Sequence, residues 1–220
     1  MIVPLGERYQ QTLYVLSKRQ GQMVSEALLP TLFVPMTGAA EEQRDVHPDP
    51  AHPAIRNGGF EEPIGDTRQP KGWHYQRQLE WVLDPKAPEG QHFASFANTI
   101  GGQGCQALQG MALDGRAVRE IDLAAWVRVD SVRQGPVPGD FPLVGITFYD
   151  ERRATVGDVK LGPWQGTFYW RHITGRFAVP GRAREAVLRI GLLGATGKFA
   201  VDDLRLSVAG TTEDASEAKP

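Results

Sequence analysis

The chain has 220 residues, of which 41% are hydrophobic and 23% charged, so it is long enough and apolar enough to bury a core. Its formal net charge is −2, with acids and bases interspersed, which excludes an electrostatic preference for nucleic acid. The single cysteine, Cys105, excludes an internal disulfide and fits a reducing compartment. No apolar run approaches the roughly 20 residues of a membrane-spanning helix, and no signal peptide is visible, so no membrane partner is predicted.

Residues 1–37 carry strand-like segments. Residues 9–16 are rich in β-forming side chains, residues 18–22 form a polar turn, and residues 24–34 are again apolar. This pattern predicts a β-hairpin. Because two strands alone cannot bury a core, we expect the hairpin to pack on another part of the protein.

Three short motifs follow one another in this region: Val3-Pro4-Leu5-Gly6, Tyr9-Gln10-Gln11-Thr12-Leu13 and Leu29-Pro30-Thr31-Leu32-Phe33-Val34-Pro35-Met36. In this order they resemble the C-terminal hairpin of protein-L-isoaspartate O-methyltransferases, which opens on Val-Pro-x-Gly, continues with a Gln-x-Leu strand and ends on Phe-Val-Pro. The resemblance implies a parent protein that transfers methyl from S-adenosylmethionine to isoaspartyl carboxylates. It also implies a cytoplasmic location.

The same resemblance implies that the active site is not in this chain. In that family the methyl donor lies upstream, at a glycine-rich turn after the first strand of a doubly wound sheet. Residues 1–37 are therefore expected to be the terminal hairpin of an α/β methyltransferase domain whose catalytic part is absent. S-adenosylmethionine would then belong to the missing parent domain.

Residues 38–56 are interpreted as a linker, because Pro48, Pro50 and Pro53 favour an extended spacer. Two histidines and two aspartates in this stretch could be metal ligands. The prolines hold these side chains apart, so a polar hinge is the favoured interpretation. The four residues are Asp45, His47, Asp49 and His52.

Residues 57–208 alternate between apolar and polar side chains with period two, and Pro/Gly turns separate the alternating segments. The clearest segments are residues 121–130, 143–149, 187–192 and 203–208. Such a pattern predicts a mainly β fold, a sandwich or jelly roll. Residues 209–220 are small and polar and are predicted to be a disordered tail.

No catalytic residue is assigned. The run from Gly102 to Ala107 matches a loose dinucleotide-binding fingerprint, but Gly110 and Gly115 interrupt the helix that must follow it. There is no G-x-S-x-G motif, Cys105 has no neighbouring base, and spacing selects no pair of carboxylates. Activity of this chain by itself is therefore not expected.

Asp202 is the acid that the alternation singles out. It shares parity with Leu204 and Leu206, so we expect it to face inward, where a charge needs a partner. Glu61 is the natural second acid if the two ends of the domain adjoin, and two carboxylates with backbone carbonyls would suit Ca²⁺. In the alternative, each acid accepts hydrogen bonds from turn N–H groups or pairs with an arginine such as Arg205.

Seven motifs in chain order resemble the jelly-roll carbohydrate-binding modules with a galactose-binding-like fold. They are Asn57-Gly58-Gly59-Phe60-Glu61, Gly72-Trp73, Ala124-Ala125-Trp126-Val127-Arg128, Gly145-Ile146-Thr147-Phe148-Tyr149-Asp150, Phe177-Ala178-Val179-Pro180, Leu188-Arg189-Ile190-Gly191-Leu192 and Asp202-Asp203-Leu204. The resemblance implies a binding module over residues 57–208, a glycan as partner, and a structural calcium held by Glu61 and Asp202. Some members of the family bind no sugar.

Aromatic faces stack on sugar rings and polar groups orient the hydroxyls, so a glycan site should combine the two. Five such side chains lie opposite the apolar stripes and would share one face if their strands are neighbours. They are Trp126, Arg128, Thr147, Tyr149 and Arg189. Trp164 is predicted either to flank a cleft or to cap the sandwich, whereas Trp73 and Trp170 are assigned to the core.

A docking role is the alternative to glycan binding. In that case the module would bind the methyltransferase domain or its protein substrate, and residues 1–37 would bury the face that carries Trp126.

Overall fold

A computed structural model describes residues 1–7, 9–31 and 48–209 of the chain. Within these ranges the polypeptide forms β-strands joined by turns, arranged in one three-stranded and two five-stranded sheets. None of the segments so described is a helix long and apolar enough to cross a membrane.

The small N-terminal sheet consists of β1 (Ile2–Glu7), β2 (Gln10–Arg19) and β3 (Gln22–Thr31), antiparallel and in this order. Gln20 and Gly21 connect β2 to β3 with φ angles of 50° and 83°. Two residues with positive φ are what a tight hairpin turn between twisted strands requires. The predicted hairpin is thus present, and β1 adds a third strand to it.

The other ten strands form a sandwich of two sheets, which we call the β9 sheet and the β8 sheet. The β9 sheet contains β4 (His74–Arg77), β7 (Cys105–Ala112), β9 (Leu143–Tyr149), β10 (Thr155–Leu161) and β12 (Glu185–Leu193). The β8 sheet contains β5 (Leu79–Leu83), β6 (His92–Asn98), β8 (Glu120–Arg133), β11 (Gly166–Ala178) and β13 (Thr196–Val208).

The strand order is β10-β9-β12-β7-β4 in the first sheet and β11-β8-β13-β6-β5 in the second, and the pairs are antiparallel. Most connections along the chain cross from one sheet to the other, which is the jelly-roll arrangement. The predicted fold class, a mainly β jelly-roll sandwich, is confirmed.

The core between the sheets is formed by the apolar stripes that the alternation predicts. On β8 every second residue from Ile121 to Val129 is buried, and Phe148 and Phe199 contribute from the two facing sheets. Trp73 is fully buried, as predicted, and stacks on Phe60 with 5.2 Å between ring centroids. These aromatic rings dominate the apolar area removed from water, which is the main stabilising term of the sandwich.

The two ends of the module meet. The backbone N–H of Leu204 on β13 donates to the carbonyl of Gly58 at 3.1 Å, and the indole N–H of Trp73 donates to the carbonyl of Asn57 at 3.1 Å. A Cβ atom at Gly58 would overlap the carbonyl oxygen of Leu204. The opening Asn-Gly-Gly turn therefore packs directly on the last strand.

The described end of the predicted linker is also tied to the module. The carbonyl of Pro50 accepts the N–H of Asp114 at 2.8 Å, and Gln109 bonds both the N–H and the carbonyl of Arg56. His52 and Asp49 are exposed and bond to each other at 2.7 Å. The other two candidate ligands of this stretch, Asp45 and His47, lie outside the described residues, as do residues 210–220 of the predicted tail.

The N-terminal sheet packs on the β9 sheet. Its Tyr9 carbonyl accepts a hydrogen bond from Nε2 of His74, at 2.8 Å, and His74 is buried there on β4. Burial lowers the pKa of His74, so the imidazole is neutral and Nδ1 is left without a partner among the residues described. The described part of residues 1–37 thus lies against β4. The expectation that residues 1–37 bury the face of β8 that carries Trp126 is therefore wrong for the described residues.

Candidate functional site

The five side chains that were expected to share one face lie on opposite sides of the sandwich. Trp126 and Arg128 are on β8, whereas Thr147, Tyr149 and Arg189 are on β9 and β12 of the other sheet. β8 pairs with β11 and β13, so it is not a neighbour of β9 or β12. The predicted common face is therefore wrong: Trp126 and Arg128 lie on one sheet, and Thr147, Tyr149 and Arg189 lie on neighbouring strands of the other.

Trp164 belongs to neither outer face. It lies in the connection between β10 and β11, and its ring stacks on the buried Phe199 with 5.7 Å between centroids and 17° between planes. Of the two predicted roles, its position matches the cap on the end of the sandwich.

A β-bulge in β11 brings two further aromatic residues to Arg128. Phe168 pairs with Val129 and Arg171 pairs with Val127, so Tyr169 and Trp170 together stand opposite the single residue Arg128. Two residues opposite one is the defining feature of a bulge, which often re-aims side chains. Tyr169 is 65% exposed.

Trp170 was assigned to the core, and this assignment is wrong. Its half-buried ring lies 4.8 Å from the guanidinium carbon of Arg128 and meets the ring of Phe93 edge-on at 5.2 Å. The bulge shifts the alternation of β11 at this point, so Phe168 faces the core whereas Tyr169 and Trp170 stand opposite Arg128. Three consecutive aromatic residues, 168–170, were the available signal, since they cannot all face one core.

The guanidinium group of Arg128 lies among three rings. Its central carbon is 4.8 Å from the ring centroid of Trp170, 5.1 Å from that of Phe93 and 6.0 Å from that of Tyr169. Arginine stacks on aromatic faces through its planar cation and can still donate from its edge.

A cleft of about 420 Å³ opens beside Arg128 on the outer face of the β8 sheet. The buried Ala200 on β13 pairs with Arg128 on one side and with Ser95 on the other. Because Ala200 has so small a side chain, the sheet leaves room at this point. Apart from Val129, the rest of the lining is polar or aromatic and includes Asp130, Thr167, Tyr169 and Lys198.

A second cleft, of about 610 Å³, lies on the same sheet towards the other end of β8. Its polar lining includes the pair Asp122–Arg176, bonded at 2.7 and 2.8 Å. Between the two clefts the rings of Trp126 and His172 are in contact, with centroids 5.2 Å apart. We call this outer face, from Asp122 to Asp130 along β8 with the two clefts, the β8 trough.

Glu61 and Asp202 meet at one short segment, residues 89–92. Oε1 of Glu61 accepts the backbone N–H groups of Gln91 and His92 at 2.7 and 2.6 Å, and Oε2 lies 2.9 Å from Nδ1 of His92. Asp202 accepts the N–H of Glu89 at 3.0 Å. Both acids therefore accept backbone N–H groups of the same loop. This matches the alternative in which each acid binds the N–H groups of a turn.

Asp202 is fully buried, but it does not lie on the core stripe of β13, where the alternation predicts it. Val201 continues the core stripe, and a bulge between Asp202 and Arg205 shifts the parity of β13. Burial, with added repulsion from Glu89 and Asp203, raises the pKa of Asp202 to about 7. For Glu61, partial burial works to raise the pKa, but hydrogen bonds from His92 and from the two N–H groups outweigh it and lower the pKa.

Within the described ranges, no three His, Cys, Asp or Glu side chains are grouped as for a metal ion. A cation at Glu61 and Asp202 would thus need backbone oxygens as well. The two acids fit it in one respect, since Oε2 of Glu61 and both oxygens of Asp202 have one hydrogen-bond contact each and keep a further lone pair. Cys105 is buried in β7, and burial raises the pKa of its thiol to about 11.

No family model matches the chain, and a search of curated proteins finds no relative. Among solved structures, the enzymatically active domain of bacteriophage CBA120 tailspike protein 4 is similar at 16% identity and a TM-score of 0.50. The match covers 70% of this chain and 21% of that one, so the chain spans about a fifth of its length. At this identity the likeness shows the fold alone.

Two carbohydrate-binding modules are also similar in structure. A family 16 carbohydrate-binding module has 21% identity and a TM-score of 0.46, covering 69% of this chain and 97% of that one. The C-terminal family 22 module of Clostridium thermocellum Xyn10B has 19% identity and a TM-score of 0.41, covering 76% and 100%. None of these comparisons supports the methyltransferase resemblance of residues 1–37, which stays a prediction.

Proposed function

We propose that the sandwich is a non-catalytic carbohydrate-binding module and that the glycan binds in the β8 trough. The observation that carries this proposal is the group of Tyr169 and Trp170 around Arg128, beside a cleft of about 420 Å³, with Trp126 two residues away on the same face of β8. Exposed rings supply stacking faces for sugars, and the polar lining supplies groups for their hydroxyls. Of the predicted binding residues, Trp126 and Arg128 belong to this site.

Trp126→Ala and Tyr169→Ala are each expected to weaken glycan binding about 10-fold or more, because central aromatic residues carry most of the energy of such sites. The measurement is binding to a glycan array, followed by titration with the best ligand. Tyr149→Ala is the matched control, since Tyr149 lies on the outer face of the β9 sheet. If Tyr149→Ala loses binding while Trp126→Ala and Tyr169→Ala keep it, the glycan site lies on the other sheet.

A docking role for the other sheet is the second candidate, favoured by the bond between Tyr9 and His74 on β4. This contact uses an edge strand of the β9 sheet and leaves the β8 trough to a different ligand. The two roles are therefore compatible. In the parent protein, a methyltransferase domain would be the partner at β4.

We also infer that residues 1–37 derive from a protein-L-isoaspartate O-methyltransferase-like domain, on the strength of the three motifs. The first two fall on β1 and on the start of β2, whereas Phe33-Val34-Pro35-Met36 lies outside the described residues. Isothermal titration of this chain with S-adenosylmethionine should give no binding heat, because the family's donor site lies upstream of the matched motifs. Tight binding would contradict this assignment.

We further propose that Glu61 and Asp202 hold a structural Ca²⁺ together with backbone oxygens. The support is chemical: two oxygen-donor side chains converge on residues 89–92, and one of them is a fully buried acid with two acidic neighbours. A bound cation would offset the charge that makes ionised Asp202 costly there. The ion would lock residues 57–61 and 89–92 to β13, so its role would be structural.

A further inference from the structure

We propose that the ligand of the β8 trough is an acidic glycan, whose carboxylate binds the guanidinium group of Arg128. This inference rests on the proposed glycan-binding function and adds the charge of the ligand to it.

Arg128 has an arrangement suited to an anion that comes from outside the chain. Its cation is packed against Phe93, Tyr169 and Trp170. Across residues 1–7, 9–31 and 48–209 it donates no hydrogen bond and forms no ion pair. A guanidinium carries five N–H donors in a rigid fork that matches the two oxygens of a carboxylate. The rings fix the plane of this fork and leave its edge to a ligand.

Two other arginines of the trough, Arg176 and Arg205, differ in this respect. Arg176 forms two hydrogen bonds with Asp122, and Arg205 bonds Asp203 at 2.7 Å. Each of these cations is neutralised by a neighbour on the sheet. In the cleft beside Arg128, Asp130 lies opposite Lys198 on the paired strand. Arg128, by contrast, lies opposite the uncharged Ala200.

A neutral sugar would use such a site poorly. Arg128 is half-buried among aromatic rings, and a partly desolvated cation gains most from an ionised acceptor. A carboxylate adds Coulombic attraction and can accept two parallel N–H bonds from the guanidinium, whereas a hydroxyl is neutral and offers a single oxygen. Aromatic rings for the sugar faces and one forked cation for a carboxylate together fit a uronic acid residue.

The test is titration with pairs of oligosaccharides that differ only in charge. The probes are oligomers of galacturonate, glucuronate, mannuronate and guluronate, each beside its carboxyl methyl ester. The acid of the preferred pair is expected to bind roughly 10- to 100-fold more tightly than its ester. Its affinity should also fall as the salt concentration rises.

Three variants identify the residue that causes the preference for the acid. Arg128→Gln is expected to weaken binding of the acid far more than binding of the ester, so that the preference for the acid is lost. Arg128→Lys keeps the charge but loses the fork, so it should retain only part of the preference. Arg189→Gln, which removes an exposed charge from the other sheet, should leave the preference intact. Equal thermal midpoints of the variants would show that each has folded.

The outcomes separate this inference from the proposed function. If esters and acids bind equally, or Arg128→Gln keeps the preference, the inference is overturned and glycan binding stands. If neither form of any pair binds, and neutral glycans fail as well, the glycan-binding function itself is wrong. An acid preference that depends on Arg189 instead of Arg128 would also overturn the inference.

Discussion

Gly58→Ala is expected to lower the free energy of unfolding by about 3 kcal/mol or more. A Cβ atom at this position would overlap the carbonyl oxygen of Leu204, which is backbone and cannot turn away. Relief would require the Asn57–Gly58 turn to move off β13, and this would strain the bond between the Gly58 carbonyl and the Leu204 N–H. Denaturant unfolding of the variant and the parent chain measures the difference.

Gly104→Ala is the matched control for this substitution. Its Cβ would lie 3.6 Å from the guanidinium of Arg77, a flexible side chain, so the change in unfolding free energy should stay within about 1 kcal/mol. Equal effects of the two substitutions would mean that the opening turn does not pack on β13 as described.

Calcium is expected to stabilise the folded chain by about 3 kcal/mol when the free ion is roughly 100-fold above its Kd. For a chain of this size such a gain raises Tm by roughly 5–10 °C. The reason is that the ion binds the folded arrangement of Glu61 and Asp202, which the unfolded chain lacks. Thermal unfolding in millimolar Ca²⁺, in Mg²⁺ and in a chelator measures the shift.

The variants Asp202→Asn and Asp203→Asn separate ion binding from a general effect of charge. Asp202→Asn should remove the Ca²⁺ response, whereas Asp203→Asn should keep it, because Asp203 bonds Arg205 at the surface. The same Tm in Ca²⁺ and in chelator for the parent chain would refute the calcium proposal. A response that survives Asp202→Asn would refute this choice of ligands.

The strands and the core were largely predictable from the sequence. The stripe from Ile121 to Val129 and the burial of Phe148 follow from period-two alternation, which is a local property of an extended chain. Trp73 in the core and the meeting of residues 57–61 with β13 were also expected. Alternation failed at Asp202, where a bulge shifts the parity of β13.

The composition of the candidate site was not predictable to the same degree. Trp126 and Tyr149 have the same pattern in the sequence, yet they lie on opposite sides of the sandwich. Tyr169 became part of the site only through the bulge opposite Arg128. Likewise, Glu61 and Asp202 both bond the loop at residues 89–92, which carries no motif of its own.

The sequence by itself determined that this chain forms short amphipathic strands, which face of each strand is apolar, and that two sheets must cover those faces. Only the tertiary structure decided which strands share a sheet, and hence which outward side chains become neighbours. The physical reason is that the backbone groups that pair strands are the same in every residue, so pairing partners are selected by long-range packing. The β8 trough, with Trp126, Arg128 and Tyr169 on one face, is a product of that selection.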